Sequence, residues 1–174
     1  MALSLLIPRD EIEGHVRRLA ERLNRDYRGL RPLFLGVPKG SYIFLADLTR
    51  QLEEPPEVDF IMLSTYGRKG DVASRTKVLL HPSAELEGRH VVIVEDIIDS
   101  GRTLRYLLKY VARRRPASAR VCALLARQST LEADCPPIDY LGQTVGDGWL
   151  VGYGLDSAER YRTLPDVCRF EEDS

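Results

Sequence analysis

What is missing from this sequence narrows its function before any motif is read. Its 25 Lys and Arg nearly cancel its 26 Asp and Glu, for a formal net charge of -1, so no global positive field exists to gather a polyanion by counterion release. A nucleic-acid reader is disfavoured. The densest basic run, Arg113-Arg114-Arg115 before Pro116, falls where a helix is expected to end, and cations there complement the helix dipole. Cysteine is scarce: Cys122, Cys135 and Cys168 show no pairwise metal spacing and leave an odd thiol, which argues against a secreted disulfide framework. No stretch approaches the ~20 apolar residues of a membrane span, and the N-terminal apolar run is too short for a signal core. The expectation is a cytoplasmic protein, neither exported nor embedded. Internal repeats and low-complexity tracts are absent, and so is Gly-x-x-x-x-Gly-Lys-Ser/Thr, which excludes a P-loop kinase.

What is present is 44% hydrophobic residues over 174 positions, enough for one core and short of two. Ile12, Val16, Leu19 and Leu23 recur at helical spacing between the start signals Pro8 and Asp10 and the stop Gly29, which predicts an amphipathic helix. Short aliphatic runs at Leu33–Val37, Val58–Leu63, His90–Val94 and Ala119–Leu125 read as strands. They alternate with helical patterns at Tyr42–Gln51 and Thr103–Arg114. Strands alternating with helices predict an α/β fold: an open, mainly parallel twisted sheet with helices on both faces. The polar, glycine-punctuated stretch from Ser64 to Asp71 predicts a flexible hood loop over about residues 64–76. Turns at Pro136-Pro137 and Gly146-Asp147-Gly148 surround short strands expected at Ile138–Leu141 and Trp149–Gly152. This last third, about residues 126–167, is too short for a core of its own and reads as a small cap on a single domain spanning 1–174.

The most informative stretch runs from His90 to Leu104. An apolar strand is expected to end abruptly at the adjacent carboxylates Glu95 and Asp96, after which a Ser-Gly turn opens a helix. Ligands of open α/β sheets sit beyond the carboxyl ends of the strands. Free amides at Ser100 to Thr103, with the Ser100 and Thr103 hydroxyls, can wrap a phosphate at a helix N-terminus, and Gly101 permits close approach. Glu95, Asp96 and Asp99 beside that pocket would repel a phosphate unless a hard divalent cation or sugar hydroxyls intervene. Phosphate, diol and Mg2+ together describe a phosphorylated ribose. An acidic N-cap is the bland alternative, but a cap needs neither a doubled acid nor a hydroxyl pair.

Val94-Glu95-Asp96-Ile97-Ile98-Asp99-Ser100-Gly101-Arg102-Thr103-Leu104 resembles the phosphoribosyl-pyrophosphate signature of the type I phosphoribosyltransferases, in particular the hypoxanthine-guanine branch. Leu35 to Ser41 resembles that branch's pyrophosphate loop, Leu63 to Gly67 its hood, and Trp149 to Asp156 with Glu159 to Pro165 its purine-binding tail. The resemblance implies the type I fold, with a small hood and cap built from the N- and C-terminal segments, and a role for each matching residue. Glu95 and Asp96 would hold the ribose hydroxyls, directly or through Mg2+; Ser100, Gly101, Arg102 and Thr103 would cradle the 5′-phosphate. Asp99 would take the proton from N7 of the purine. Lys39, Gly40 and Arg162 would meet pyrophosphate, and Thr65 and Tyr66 would close over it. Trp149 would stack on the base, Leu150 would offer backbone groups to its edge, and Asp156 would bind a second Mg2+.

Two departures stand out. The family usually has lysine where Arg127 ends its strand, and arginine, planar and bulkier, is not a neutral exchange as reader of the purine's 6-oxygen. The family also often has a cis peptide before Lys39, yet Pro38-Lys39 is not an X-Pro bond, so Pro38 gives it no cis tendency. The reaction implied joins a 6-oxopurine, hypoxanthine or guanine, to phosphoribosyl pyrophosphate, giving purine nucleotide and pyrophosphate. Its alternatives are a non-catalytic nucleotide sensor on the same cradle and a phosphoribosyltransferase for another base. Relatives are commonly dimers or tetramers, and Tyr42 and Phe44 on the second helix are candidate interface residues.

Overall fold

The apolar runs become the interior of a parallel sheet. The computed structural model describes residues 2–66 and 75–171, without the side chains at 65, 66, 75 and 171. Its elements in chain order are β1 (Ala2–Ile7), α1 (Arg9–Asp26), β2 (Leu33–Gly36), α2 (Tyr42–Arg50), β3 (Glu57–Phe60), β4 (Met62–Tyr66) and β5 (Arg75–Leu80). There follow β6 (His90–Ile98), α3 (Arg102–Ala112), β7 (Ser118–Arg127), β8 (Tyr140–Val145), β9 (Trp149–Val151) and β10 (Val167–Glu171). Five strands form the main sheet in the order β3-β2-β6-β7-β8, and every neighbouring pair is parallel.

Alternation along the central strands decides which helix covers which face. Phe34, Val92, Val94, Cys122 and Leu124 pack with Ile12, Val16, Leu19 and Leu23 of α1 and Phe44 and Leu48 of α2. Leu33, Leu35, Val91 and Ile93 turn the other way, onto Leu107, Tyr110 and Val111 of α3. Both faces are dry, so these strands read as unbroken apolar runs. Phe44 is wholly buried, which removes it as an interface residue, whereas Tyr42 is exposed. No helix among the described residues is long and apolar enough to cross a membrane.

Three expectations change. The run Val58–Leu63 is two strands: the chain leaves the main sheet at Phe60, the Ile61 amide donates to the Gly36 carbonyl at 3.0 Å, and β4 then pairs antiparallel with β5. The strand expected at Ile138–Leu141 starts later and runs longer. It begins once Asp139 has turned its carboxylate onto the Val121 amide at 2.8 Å. Strand β6 does not stop at Glu95 but continues to Ile98, paired with β7 through Glu95↔Ala123 and Ile98↔Ala126. The carboxylates therefore lie within a strand, fixed by the ladder.

A three-stranded antiparallel sheet, β1-β10-β9, forms the cap. The Arg9 amide at the start of α1 donates to Asp166 at 2.8 Å and ties this cap to the main body. On the opposite side, buried Tyr140 donates its hydroxyl to Asp26 at 2.8 Å, across the α1–β8 contact. That hydrogen bond, with Arg25 helping and burial opposing, holds the Asp26 carboxyl below its usual range. A depressed carboxylate stabilises the fold above its unfolded pKa, and the contribution is lost as pH falls through the folded value. Tyr140→Phe is accordingly expected to cost about 1–2 kcal/mol at neutral pH. The gap between parent and variant should narrow when urea denaturation is repeated below the ordinary carboxylate range.

Candidate active site

Beyond the carboxyl end of β6, the chain turns through Asp99 and Ser100 into Gly101, whose φ of 84° no side chain adopts readily. A methyl group there would also lie 2.4 Å from Cys135 Sγ, so both the turn and the packing call for glycine. Glu95, Ile97, Ile98, Asp99, Ser100, Gly101, Thr103 and Leu104 line one cavity of about 130 Å3. The buried acid of β6, the exposed acid after it and the first turn of α3 thus share a single mouth. Arg102 belongs to the same helix start, but its guanidinium turns outward to Glu132, which also binds Arg105 at 2.7 Å. Only its backbone stays at the turn into α3.

Asp96 occupies different ground. A Cβ on Gly40 would fall 1.7 Å from Asp96 Oδ2, and a Cβ on Gly154 would fall 2.0 Å from the Gly40 carbonyl oxygen. The loop after β2, the acid of β6 and the cap loop therefore meet with no room for a side chain. The loop is held by the Val37 amide on Val94 O at 3.1 Å and the buried Ser41 hydroxyl on Val37 O at 2.7 Å. Its Pro38-Lys39 peptide is cis. Burial raises both carboxyls: Glu95 is well above the usual range, with Asp96 adding to the effect. The Asp96 carboxyl is pushed up to about 6 by burial, with Asp156 adding to this and Arg162 and backbone amides opposing it.

Arg162 is largely buried and already engaged. It donates to Gly154 O at 2.7 Å and pairs with Asp156 at 2.8 Å and Glu159 at 3.1 Å. Glu159 also receives Lys39 Nζ at 3.1 Å, so one carboxylate bridges the two cations. Lys39, then Arg162, hold that carboxyl below its usual range. Asp156 additionally accepts the Glu159 amide at 2.8 Å.

The third group sits at the end of β7. Arg127 Nε lies 3.2 Å from Asp99 Oδ1, and its Nη1 donates to Gly146 O at 2.7 Å. Trp149 is 56% exposed, which excludes a core role, and its indole Nε1 donates to Asp156 O at 2.9 Å. Leu150 is buried, with its backbone in β9 opposite Arg169. Thr65 and Tyr66 fall in β4, but their side chains, and residues 67–74 of the expected hood, lie outside the described residues.

Sequence reasoning missed the segment after β7. Thr130 donates its hydroxyl to Asp99, the Glu132 amide donates to Ser100 O at 3.2 Å, and Cys135 packs on Gly101. These contacts span about thirty residues, and no local pattern announces them.

The family described as phosphoribosyl transferase domain matches residues 8–158. A hypoxanthine-guanine phosphoribosyltransferase from Bacillus subtilis is 40% identical over 163 residues, covering 94% of this chain and 90% of that protein. This chain belongs to the hypoxanthine-guanine phosphoribosyltransferase family. A crystal structure of such an enzyme from Bacillus anthracis superposes with a TM-score of 0.91 at 34% identity, covering 97% of this chain and 98% of that one. The chain is also 41% identical to the bifunctional protein TilS/HprT of Listeria innocua, matching over 94% of its own length while spanning 25% of that longer protein. Membership accounts for the type I fold, with five parallel strands and helices on both faces.

The donor set fits Mg2+. Glu95 and Asp96, which burial drives toward the neutral form, meet different neighbours from successive positions of β6, and a hard cation beside either one would relieve it. Among the described residues no group of three or more His, Cys, Asp or Glu could hold a metal.

Proposed function

We propose that this protein is a cytoplasmic purine-salvage enzyme that transfers the phosphoribosyl group of phosphoribosyl pyrophosphate to N9 of hypoxanthine or guanine. The products are IMP or GMP and pyrophosphate. The observation that carries this reading is the single cavity shared by Glu95, Asp99, Ser100, Gly101 and Thr103. A cradle of amides and hydroxyls takes the 5′-phosphate while carboxylates beside it take the ribose.

As N9 bonds to C1 of the ribose, the bond from C1 to pyrophosphate breaks and its electron pair leaves with pyrophosphate. The N7 proton passes to Asp99. Amides and hydroxyls from Ser100 to Thr103 fix the sugar phosphate, so the approach is oriented before reaction. Lys39, the Gly40 amide and Arg162 receive the leaving charge, with Thr65 and Tyr66 of the hood, about residues 64–76, excluding water. Mg2+, held by Glu95 and Asp96 with Asp156 for a second ion, would neutralise pyrophosphate charge. From β9 of the cap Trp149 stacks on the purine and Leu150 offers backbone groups, while Arg127 at the end of β7 in the main sheet reads the 6-oxygen. The arginine fork suits that place: Nε and Nη1 are anchored to Asp99 and Gly146, and Nη2 is left for the base. One domain serves all these steps, and exposed Tyr42 and Phe60 suit a homo-oligomer, a dimer or tetramer.

The test is direct. Purified protein with phosphoribosyl pyrophosphate, Mg2+ and either hypoxanthine or guanine should yield nucleotide and pyrophosphate, and adenine and uracil should not react. Nucleotide binding without turnover on any 6-oxopurine would make it a sensor and overturn the enzyme.

A further inference from the structure

We propose that Thr130 is a positioning residue for the base, acting with Arg127 to clamp one oxygen of Asp99 so that the other is the one that takes the proton. This rests on reading Asp99 as the proton acceptor. Asp99 follows the last residue of β6 and its side chain is 65% exposed. The terminal torsion of an aspartate is broad and roughly two-fold, so an exposed carboxylate left to itself presents either oxygen in many orientations. Here the Thr130 hydroxyl donates to Oδ1, and Arg127 Nε approaches the same atom at 3.2 Å. Two donors converge on one oxygen and define which remains.

The clamp is anchored independently of Asp99. The Thr130 amide donates to Arg127 O at 3.3 Å, closing the turn that returns the hydroxyl over the end of β6. Ser129 donates to Asp147, and Arg127 Nη1 to Gly146 O at 2.7 Å, so the 127–130 turn is pinned to the loop before β9. A neutral hydroxyl restrains the carboxylate without placing a second positive charge beside it. Fixing a reacting group in advance lowers the barrier rather than tightening ground-state binding.

The role separates from a structural one by kinetics. Thr130→Val is expected to lower kcat about tenfold, the worth of one hydrogen bond to a charged group. KM for phosphoribosyl pyrophosphate should move less than about twofold, and Thr130→Ser should restore the rate. In an Asp99→Asn background the valine should cost nothing further, because a residue acting through Asp99 has nothing left to act on. Should Thr130→Val not fold, Thr130→Ala replaces it in both comparisons. A parental kcat in the valine or alanine variant, a serine that fails to rescue, or an additive loss beside Asp99→Asn would overturn the proposal. Full turnover by Asp99→Asn alone would instead remove the base assignment, and the clamp with it. A slow Asp99→Asn beside an unaffected Thr130→Val would sink the clamp only.

Discussion

Asp99→Asn should lower kcat by about 100- to 10,000-fold, the range that loss of a positioned general base produces. The amide has the carboxylate's shape and keeps one acceptor oxygen, so the Thr130 hydroxyl still finds a partner at the end of β6. What it loses is the capacity to accept a proton at N7. The negative charge beside Arg127 Nε disappears as well, and the guanidinium is then freer to swing toward the purine. KM for the purine is therefore expected to stay level or fall while kcat collapses. Stability should barely change, since the side chain is mostly exposed and its two partners retain other contacts, Arg127 with Gly146 and Thr130 with Arg127 O. Steady-state kinetics with hypoxanthine, beside a melting curve, checks both halves. A kcat within about tenfold of the parent would remove Asp99 from the base role.

The second large effect is expected at Gly154, far from Asp99 in the chain. Its φ of 100° and the 2.0 Å that would separate an added Cβ from the Gly40 carbonyl oxygen are two independent objections to any side chain. Left-handed backbone costs about 1–3 kcal/mol for a residue with a Cβ, and overpacking against unyielding backbone adds about as much. Gly154→Ala should destabilise by about 3 kcal/mol and lower Tm by roughly 6–12 °C. Activity should fall further than stability predicts. Relieving the clash by moving the Lys39-Gly40 loop would disturb Asp96, against which Gly40 is itself packed. A variant with parental Tm and kcat would mean that cap and loop are not in the contact described.

Sequence alone made the centre of the molecule legible because its signals are local. The runs at Leu33 and His90 are apolar throughout, and the 3.6-residue period of Ile12, Val16, Leu19 and Leu23 is unambiguous. At the periphery only the family resemblance implied a cap built from the two terminal segments, and no local pattern carried it, since β1 and β10 pair across more than 160 residues, Ala2 with Glu171 and Leu5 with Cys168. A five- or six-residue segment carries no sign of so distant a partner. The β3–β4 break was hidden because Ile61 between them is as apolar as either strand. Residue type pointed to the end of β6, where acids, hydroxyls and glycine stand in a row and line one cavity. It did not foretell the wall facing that row. Thr130, Glu132 and Cys135 are ordinary residues in an irregular stretch, and their meaning comes from folding back onto Asp99, Ser100 and Gly101.

Glu159, bridging Lys39 and Arg162 with a largely exposed carboxylate, already occupies the two cations proposed to receive pyrophosphate. An arriving anion must displace a tethered rival that never diffuses away and returns whenever the newcomer leaves. A singly charged ion gains little by that exchange, whereas a group with several oxygens and more than one charge gains at both cations at once. If those cations receive the pyrophosphate as proposed, the exchange is expected to favour a polyvalent anion over a monovalent one, by a margin held to the little that an exposed ion pair is worth.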